Sequence, residues 1–273
     1  MLTQAFDCLL KAHNLNTRIN ESFVTLNRGE GSIEAISNEL LSFFYNAEIP
    51  EEIAREVESQ YSLLGAALVA VRSSATAEDN ADRSWVGQLE SYLNVSAENL
   101  FHSVKRCWAS LYSQRAISYT LNEKGKSDPI QGAVVIQVMV NPEISGIAFS
   151  VNPVNENYDE IIIEAAFGLG EAIVQGEITP DHYCINKKSF AIVDIFPSTQ
   201  EWGIYKLEDG TTGWKNIEKE KGEQQKLNEP EITELAKMVI AIEKIAGFPC
   251  DIEWTYYNGR FNFVQCRPIT TLS

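Results

Sequence analysis

Positive charge is scarce in this chain. It carries 22 Lys and Arg against 38 Asp and Glu, a formal net charge of −16 over 273 residues. That balance excludes a broad basic footprint for a nucleic-acid backbone and favours solubility. A polyanionic ligand must therefore be met by local arginines or a cation, not by the global field. No apolar run reaches about 18 residues, so no membrane-spanning helix is expected. The opening stretch Met1–Asn16 lacks the basic region that precedes the apolar core of a secretory signal. The five cysteines are odd in number, scattered, and include no Cys-x-x-Cys pair. This excludes a disulfide framework and predicts free thiols in a reducing cytoplasm. Neither a Walker A sequence nor a G-x-G-x-x-G fingerprint is present, and the glycines of Gly168-Leu169-Gly170 complete neither pattern.

What the sequence does have is concentrated at its C-terminal end. Asp251-Ile252-Glu253-Trp254 and Val264-Gln265-Cys266-Arg267-Pro268 both read as β-strands, with apolar and polar residues alternating. Asn258-Gly259 between them is a strong hairpin signal. Residues two apart share a face, so Asp251 pairs in direction with Glu253, and Gln265 with Arg267. If the two faces coincide, hard oxygen ligands suited to Mg²⁺ sit beside a guanidinium fork suited to phosphate. An unbroken two-residue turn would oppose Glu253 to Val264 and separate the faces. A shift of one residue is required: a three-residue Tyr257-Asn258-Gly259 turn with a G1 bulge, setting Asp251 opposite Gln265, or a bulge elsewhere in either strand. The plain alternative is a solvated polar face on an ordinary hairpin.

A second stretch, Leu68–Ser74, reads as an apolar strand that ends in Arg72 and feeds the small, hydroxylated run Ser73–Asn80. Accessible backbone N–H groups there suit an anion-cradling loop, although Arg72 could instead pair with Glu78 or Asp79. Along the rest of the chain, helices are predicted over 4–14, Ser32–Tyr45, Pro50–Leu64, 96–123 and Pro230–Ala246, the last capped by Gly247. Strands are predicted at Leu93–Val95, Gly132–Val140, Gly146–Val151 and Glu160–Ala166. Residues 182–218 read as short strands of a peripheral sheet, and 219–228 as a charged linker. The mixture predicts an α+β architecture of two lobes.

Four motifs occur in order: VRSSATAED with GQLESYLNV (Val71–Val95), SGIAFSVNP (Ser145–Pro153), IIIEAAFGLGEAIVQGEITPD (Ile161–Asp181) and DIEW with VQCRPITTL (Asp251–Leu272). Together they resemble the ATP-binding domain of the phosphoenolpyruvate synthase, pyruvate phosphate dikinase and rifampicin phosphotransferase family. The resemblance implies an ATP-grasp-type fold, with an N-terminal subdomain over 1–130 and a C-terminal subdomain over 131–273. It implies ATP and Mg²⁺ as ligands, and phosphoryl transfer to a histidine on a separate swivelling domain. By the same resemblance, Arg72 and Arg267 contact the phosphates and serve as the catalytic cations. Glu253 and Gln265 hold Mg²⁺, supported by Asp251. Gly87 and Ser91 lie against the phosphates, where Leu89 and Ser91 replace the usual Gln and Thr. Gln137 and Met139 face the adenine, although Gln137 could also be a satisfied core amide. The family's opening glycine-rich segment with its phosphate-reaching Lys has no counterpart; neither Lys11 nor Lys105 has that setting. His13, His102 and His182 lack the small-residue context of the family's phosphohistidine loop and are expected in surface or packing roles. A second reading is therefore a non-catalytic nucleotide-binding or regulatory module.

Overall fold

The computed structural model describes residues 1–75, 90–122, 131–208 and 210–272. Its helices and antiparallel sheets form two compact units, 1–139 and 140–273. The first unit begins with four helices, α1 (Thr3–Ala12), α2 (Leu15–Asn27), α3 (Ile33–Asn46) and α4 (Glu51–Leu64). In α1, Phe6, Leu9 and Leu10 recur at helical spacing and are buried. Ser32 caps α3 by accepting a hydrogen bond from the Ala35 N–H at 3.1 Å, satisfying one of the helix's orphan donors. Pro50 precedes α4, with Glu51 and Glu52 in its positive first turn. Helix α2 was not anticipated, although Leu15, Ile19, Phe23 and Leu26 supply a stripe that packs on the core.

Next come β1 (Val69–Ala75), β2 (Ser91–Val95), α5 (Leu100–Ser110), α6 (Gln114–Asn122) and β3 (Gly132–Val138). The single helix expected over 96–123 is divided into a short 3-10 turn, α5 and α6. Hydroxyls account for the break. Ser110 Oγ donates back to the Cys107 carbonyl at 2.7 Å, and Ser113 Oγ accepts from the Ala116 N–H at 3.2 Å. Such local bonds compete with the helix ladder and start a new helix. The sheet order is β2-β1-β3, antiparallel throughout. Val69, Val71 and Val134 enter a core with Phe6, Phe44 and Trp108.

The second unit contains β4 (Ile144–Phe149), β5 (Glu160–Phe167), α7 (Glu171–Val174), β6 (Asp181–Asn186) and β7 (Ile192–Phe196). These precede β8 (Trp202–Lys206), β9 (Thr212–Asn216), α8 (Lys219–Gly222), α9 (Glu229–Ala246), β10 (Cys250–Tyr257) and β11 (Arg260–Pro268). Six strands form one antiparallel sheet in the order β11-β10-β4-β5-β6-β7, and β8 pairs with β9 separately. One face of the large sheet, including Ala148, Ile163, Tyr183, Ile252 and Trp254, packs with Ile232, Leu235, Ala236 and Val239 of α9. A capping box, Asn228 with Glu231, starts α9, and Gly247 at φ +80° ends it. Gly146 is required by close approach, because a Cβ there would lie 1.8 Å from the Glu164 carbonyl oxygen and 2.6 Å from the Trp254 ring.

Two expectations are corrected here. β6 and β7 belong to the main sheet, so the region from 182 onward is not wholly peripheral. Nor is 219–228 only a charged linker: Lys219–Gly222 form α8, and the Lys226 and Asp181 side chains are both 0% exposed and pair at 2.8 Å. Asp181 also accepts from Tyr183 Oη and from the backbone N–H groups of Ser198 and Lys226, each at 2.8 Å. Lys226 Nζ donates further to the Ser198 carbonyl. A buried charge is tolerated when it is paired and hydrogen-bonded throughout, and this one ties residues 198 and 226 to β6.

Candidate functional site

The hairpin of β10 and β11 turns at Asn258-Gly259, with Tyr257 opposite Arg260. Both turn residues have positive φ, +49° and +71°, the requirement of a type I′ turn that matches strand twist. The three-residue turn with a G1 bulge is therefore absent. The needed shift occurs farther along: Trp254 opposes Phe263 but Glu253 opposes Gln265, leaving Val264 as the extra residue of a β-bulge. Below the bulge Asp251 opposes Arg267, correcting the expected Asp251–Gln265 pairing. Directly opposed residues share a face, so Asp251, Glu253, Gln265 and Arg267 all point away from the face packed on α9.

Within this group Arg267 Nε donates to Asp251 Oδ2 at 2.8 Å, with the two side chains 25% and 12% exposed. Asp251 Oδ1 is buried without a hydrogen bond among the described residues. Burial holds the Asp251 carboxyl above its usual range; Arg267 opposes that shift and Glu253 adds to it. The same face continues across the sheet, since Glu253 opposes Ile147, Ile147 opposes Glu164, and Glu164 opposes His182. Burial also raises the Glu164 carboxyl, lowered by His182 and raised by Asp251. Sequence reading gave Glu164 no role. Its position becomes visible only when two strand registers are combined.

In the first unit, Arg72 opposes Ser91 on β2 and Val135 on β3, and Ala70 opposes Gln137. Arg72, Ser91 and Gln137 therefore share the sheet face turned away from the core residues Val69 and Val71. On that face Val135 is 46% exposed, whereas Ala70 is buried. Met139 lies just beyond β3, and its N–H donates to the Leu68 carbonyl at 3.1 Å. Backbone groups alternate in direction along a strand. Val134 accordingly directs its backbone to the outer edge, where its N–H donates to the Met1 carbonyl at 3.2 Å. By the same alternation Ile136 and Val138 direct their backbone groups away from β1, and Gln137 toward it. Gly87, Glu78 and Asp79 lie outside the described residues.

A protein-family model described as the pyruvate phosphate dikinase AMP/ATP-binding domain matches residues 1–273. The chain belongs to this family. It is 39% identical to a probable phosphoenolpyruvate synthase of Methanocaldococcus jannaschii, covering 98% of the chain and 23% of that relative. It is 41% identical to a phosphoenolpyruvate synthase of Pyrococcus furiosus, covering 82% of the chain and 29% of the relative. It is 39% identical to a rifampicin phosphotransferase of Bacillus cereus, covering 88% of the chain and 28% of the relative. The chain thus spans less than a third of the length of these relatives.

For a member of an ATP-binding family, the hairpin face can be tested as a Mg²⁺ site on its own chemistry. Among the described residues, no group of three or more His, Cys, Asp or Glu side chains converges as a metal centre. Mg²⁺ does not need one: it commonly takes one or two carboxylates and completes its shell with substrate phosphates and water. Asp251 Oδ1, buried and lacking a hydrogen bond among the described residues, and the opposed pair Glu253–Gln265 supply hard oxygens of that kind. The residues fit the ion. Among the described residues no helix is long and apolar enough to cross a membrane.

Proposed function

We propose that this chain is an ATP-grasp-type domain that binds ATP with Mg²⁺ and supplies a phosphoryl group to a histidine carried on a separate domain. The observation that carries the reading is the bulge at Val264, which brings Asp251, Glu253, Gln265 and Arg267 to one rigid sheet face. Membership of an AMP/ATP-binding family supports the nucleotide. The names of the relatives, phosphoenolpyruvate synthase and rifampicin phosphotransferase, support phosphoryl transfer as the chemistry.

In this reading Glu253 and Gln265 hold the metal, and Asp251 backs them while orienting Arg267 through the bond to its Nε. Bound Mg²⁺ would supply charge neutralisation at the phosphate oxygens. The chain's own part is positioning and electrostatics, the main resources of phosphoryl-transfer sites. Arg267 and Arg72 balance the charge that grows as a phosphoryl group leaves ATP. Ser91 donates its hydroxyl to a phosphate oxygen. Gln137 and Met139 pack at the adenine, with Met139 giving a polarizable surface to the ring. We place the activity in the cytoplasm, where ATP is available and the five free thiols stay reduced.

The test is direct. The chain is mixed with radiolabelled ATP, Mg²⁺ and the phosphoacceptor domain of a relative. Acid-labile label on that domain is expected, with loss of transfer in Arg267→Ala. ATP binding without any transfer, using an acceptor that its own parent enzyme phosphorylates, would favour a non-catalytic nucleotide-binding module instead.

A further inference from the structure

The second unit contains a cleft of about 340 Å³ lined by Asn141, Tyr205, Lys206, Lys215, Asn216, Ile217, Glu218 and Lys221. Its size falls within the range of small-molecule sites. Three lysines and one glutamate line it, in a chain whose overall charge is −16; the β8–β9 register puts Lys215 on the same ribbon face as Tyr205, with Lys206 on the opposite face. Among the described residues, no ion pair engages Lys206, Lys215 or Lys221. Lys215 Nζ donates to the Lys206 carbonyl at 3.0 Å. Lys221 Nζ sits 5.0 Å from the centre of the Phe167 ring. Each ammonium has three donors, so capacity for an anion remains.

The walls of the cleft are fixed before any ligand arrives. β8 and β9 pair in regular register from Trp202–Asn216 to Lys206–Thr212. The ribbon is tied to the main sheet by Leu169 N–H to the Ile204 carbonyl at 2.9 Å, and to its own flank by Ile217 N–H to the Glu201 carbonyl at 2.9 Å. Buried Gln200 bridges the start of β8 to β5: its Oε1 accepts from Phe167 N–H at 2.8 Å, and its Nε2 donates to the Phe167 and Trp202 carbonyls at 3.0 and 2.9 Å. Gln200 N–H donates to the Gly222 carbonyl at 3.0 Å, joining α8 to the same framework. A pre-organised site loses less on binding than a mobile one.

We propose that this cleft is a binding site for a small organic phosphate. Lys215 and Lys221 meet the phosphate as compact point charges. Tyr205 and Ile217, on the ribbon face of Lys215, supply an apolar wall, and the amide of Asn141 offers neutral donors and an acceptor to the organic part. The proposal does not depend on the phosphotransferase reading.

The experiment uses pyrophosphate as the probe, titrated into the full chain at low ionic strength and followed by backbone amide NMR. Saturable shifts are expected on residues 205–206 and 215–221. Lys215→Gln with Lys221→Gln should weaken that titration by about tenfold or more, as expected for losing charged contacts. Arg267→Gln should leave it unchanged, although it lowers ATP affinity if the proposed nucleotide site is right. Shifts that miss the cleft in the unaltered protein would overturn the proposal without recourse to a variant. Cleft shifts that persist undiminished in the lysine variant, or disappear in Arg267→Gln, would overturn it as well.

Discussion

The buried pair of Lys226 and Asp181 offers a sharp test of how the second unit is held together. Both side chains are fully buried, and the carboxylate accepts hydrogen bonds from the lysine, two backbone amides and Tyr183. Replacing Lys226 with Met leaves that carboxylate without a counter-charge and removes a donor from the Ser198 carbonyl. Breaking a buried pair from one side typically costs ~3–5 kcal/mol, because the remaining charge is uncompensated. Removing both charges together is far less costly and is often close to neutral. Lys226→Met should therefore lose about 3–5 kcal/mol, whereas Lys226→Met with Asp181→Asn should lose roughly 1–3 kcal/mol, mostly from hydrogen bonds left unmade. Urea titrations followed by far-ultraviolet circular dichroism and by tryptophan fluorescence give the comparison, with buried Trp254 reporting on this unit's core. The coupling between the two substitutions should be large and favourable. A single variant losing less than about 1 kcal/mol, the scale of an exposed pair, or two losses that simply add, would refute the reasoning.

Other outcomes follow from single contacts. Ser113→Ala removes the cap of α6 and should cost about 1 kcal/mol in the unfolding of the first unit, whereas Ser113→Asn should restore most of it. Gly146→Ala places a methyl against the Glu164 carbonyl and the Trp254 ring. It should lower stability by about 1–3 kcal/mol or more, visible as an earlier thermal transition. Glu160 accepts a hydrogen bond from Asn152 Nδ2 at 2.7 Å, the first cause of its lowered pKa. A depressed carboxylate pKa contributes stability above its unfolded value, and that contribution is lost as pH falls through the folded value. Glu160→Gln should therefore be less stable than the unaltered chain near neutral pH, with the gap closing on acidification through the ordinary glutamate range. A gap that is constant with pH would assign the difference to shape alone.

Much of this architecture was legible because local signals agreed with the tertiary result. The two terminal strands, the Asn258-Gly259 turn, the capped ends of α9 and the apolar strand ending at Arg72 all follow from patterns within a few residues. The features that escaped depend on distant partners. Val264 looks like any strand residue, and its bulge appears only because the paired registers on either side of it differ by one. Lys226 sits in a run rich in charge and reads as solvated until Asp181, far off in the chain, is placed beside it. The long helix over 96–123 kept its apolar stripe across the break, so periodicity could not reveal that Ser110 and Ser113 divide it. Glu164 joins the hairpin face only through two intervening strand pairings.

The central claim is that the bulged hairpin face holds a metal together with nucleotide phosphates, and calorimetry of ATP binding with and without Mg²⁺ addresses it most directly. The unaltered chain should bind ATP more tightly with Mg²⁺ than without. Glu253→Gln should remove about 1.5–3 kcal/mol of the Mg²⁺-dependent part, the scale of a lost charged contact, while leaving metal-free binding nearly unchanged. Equal losses with and without the metal, or no dependence on Mg²⁺ in the unaltered chain, would contradict the account.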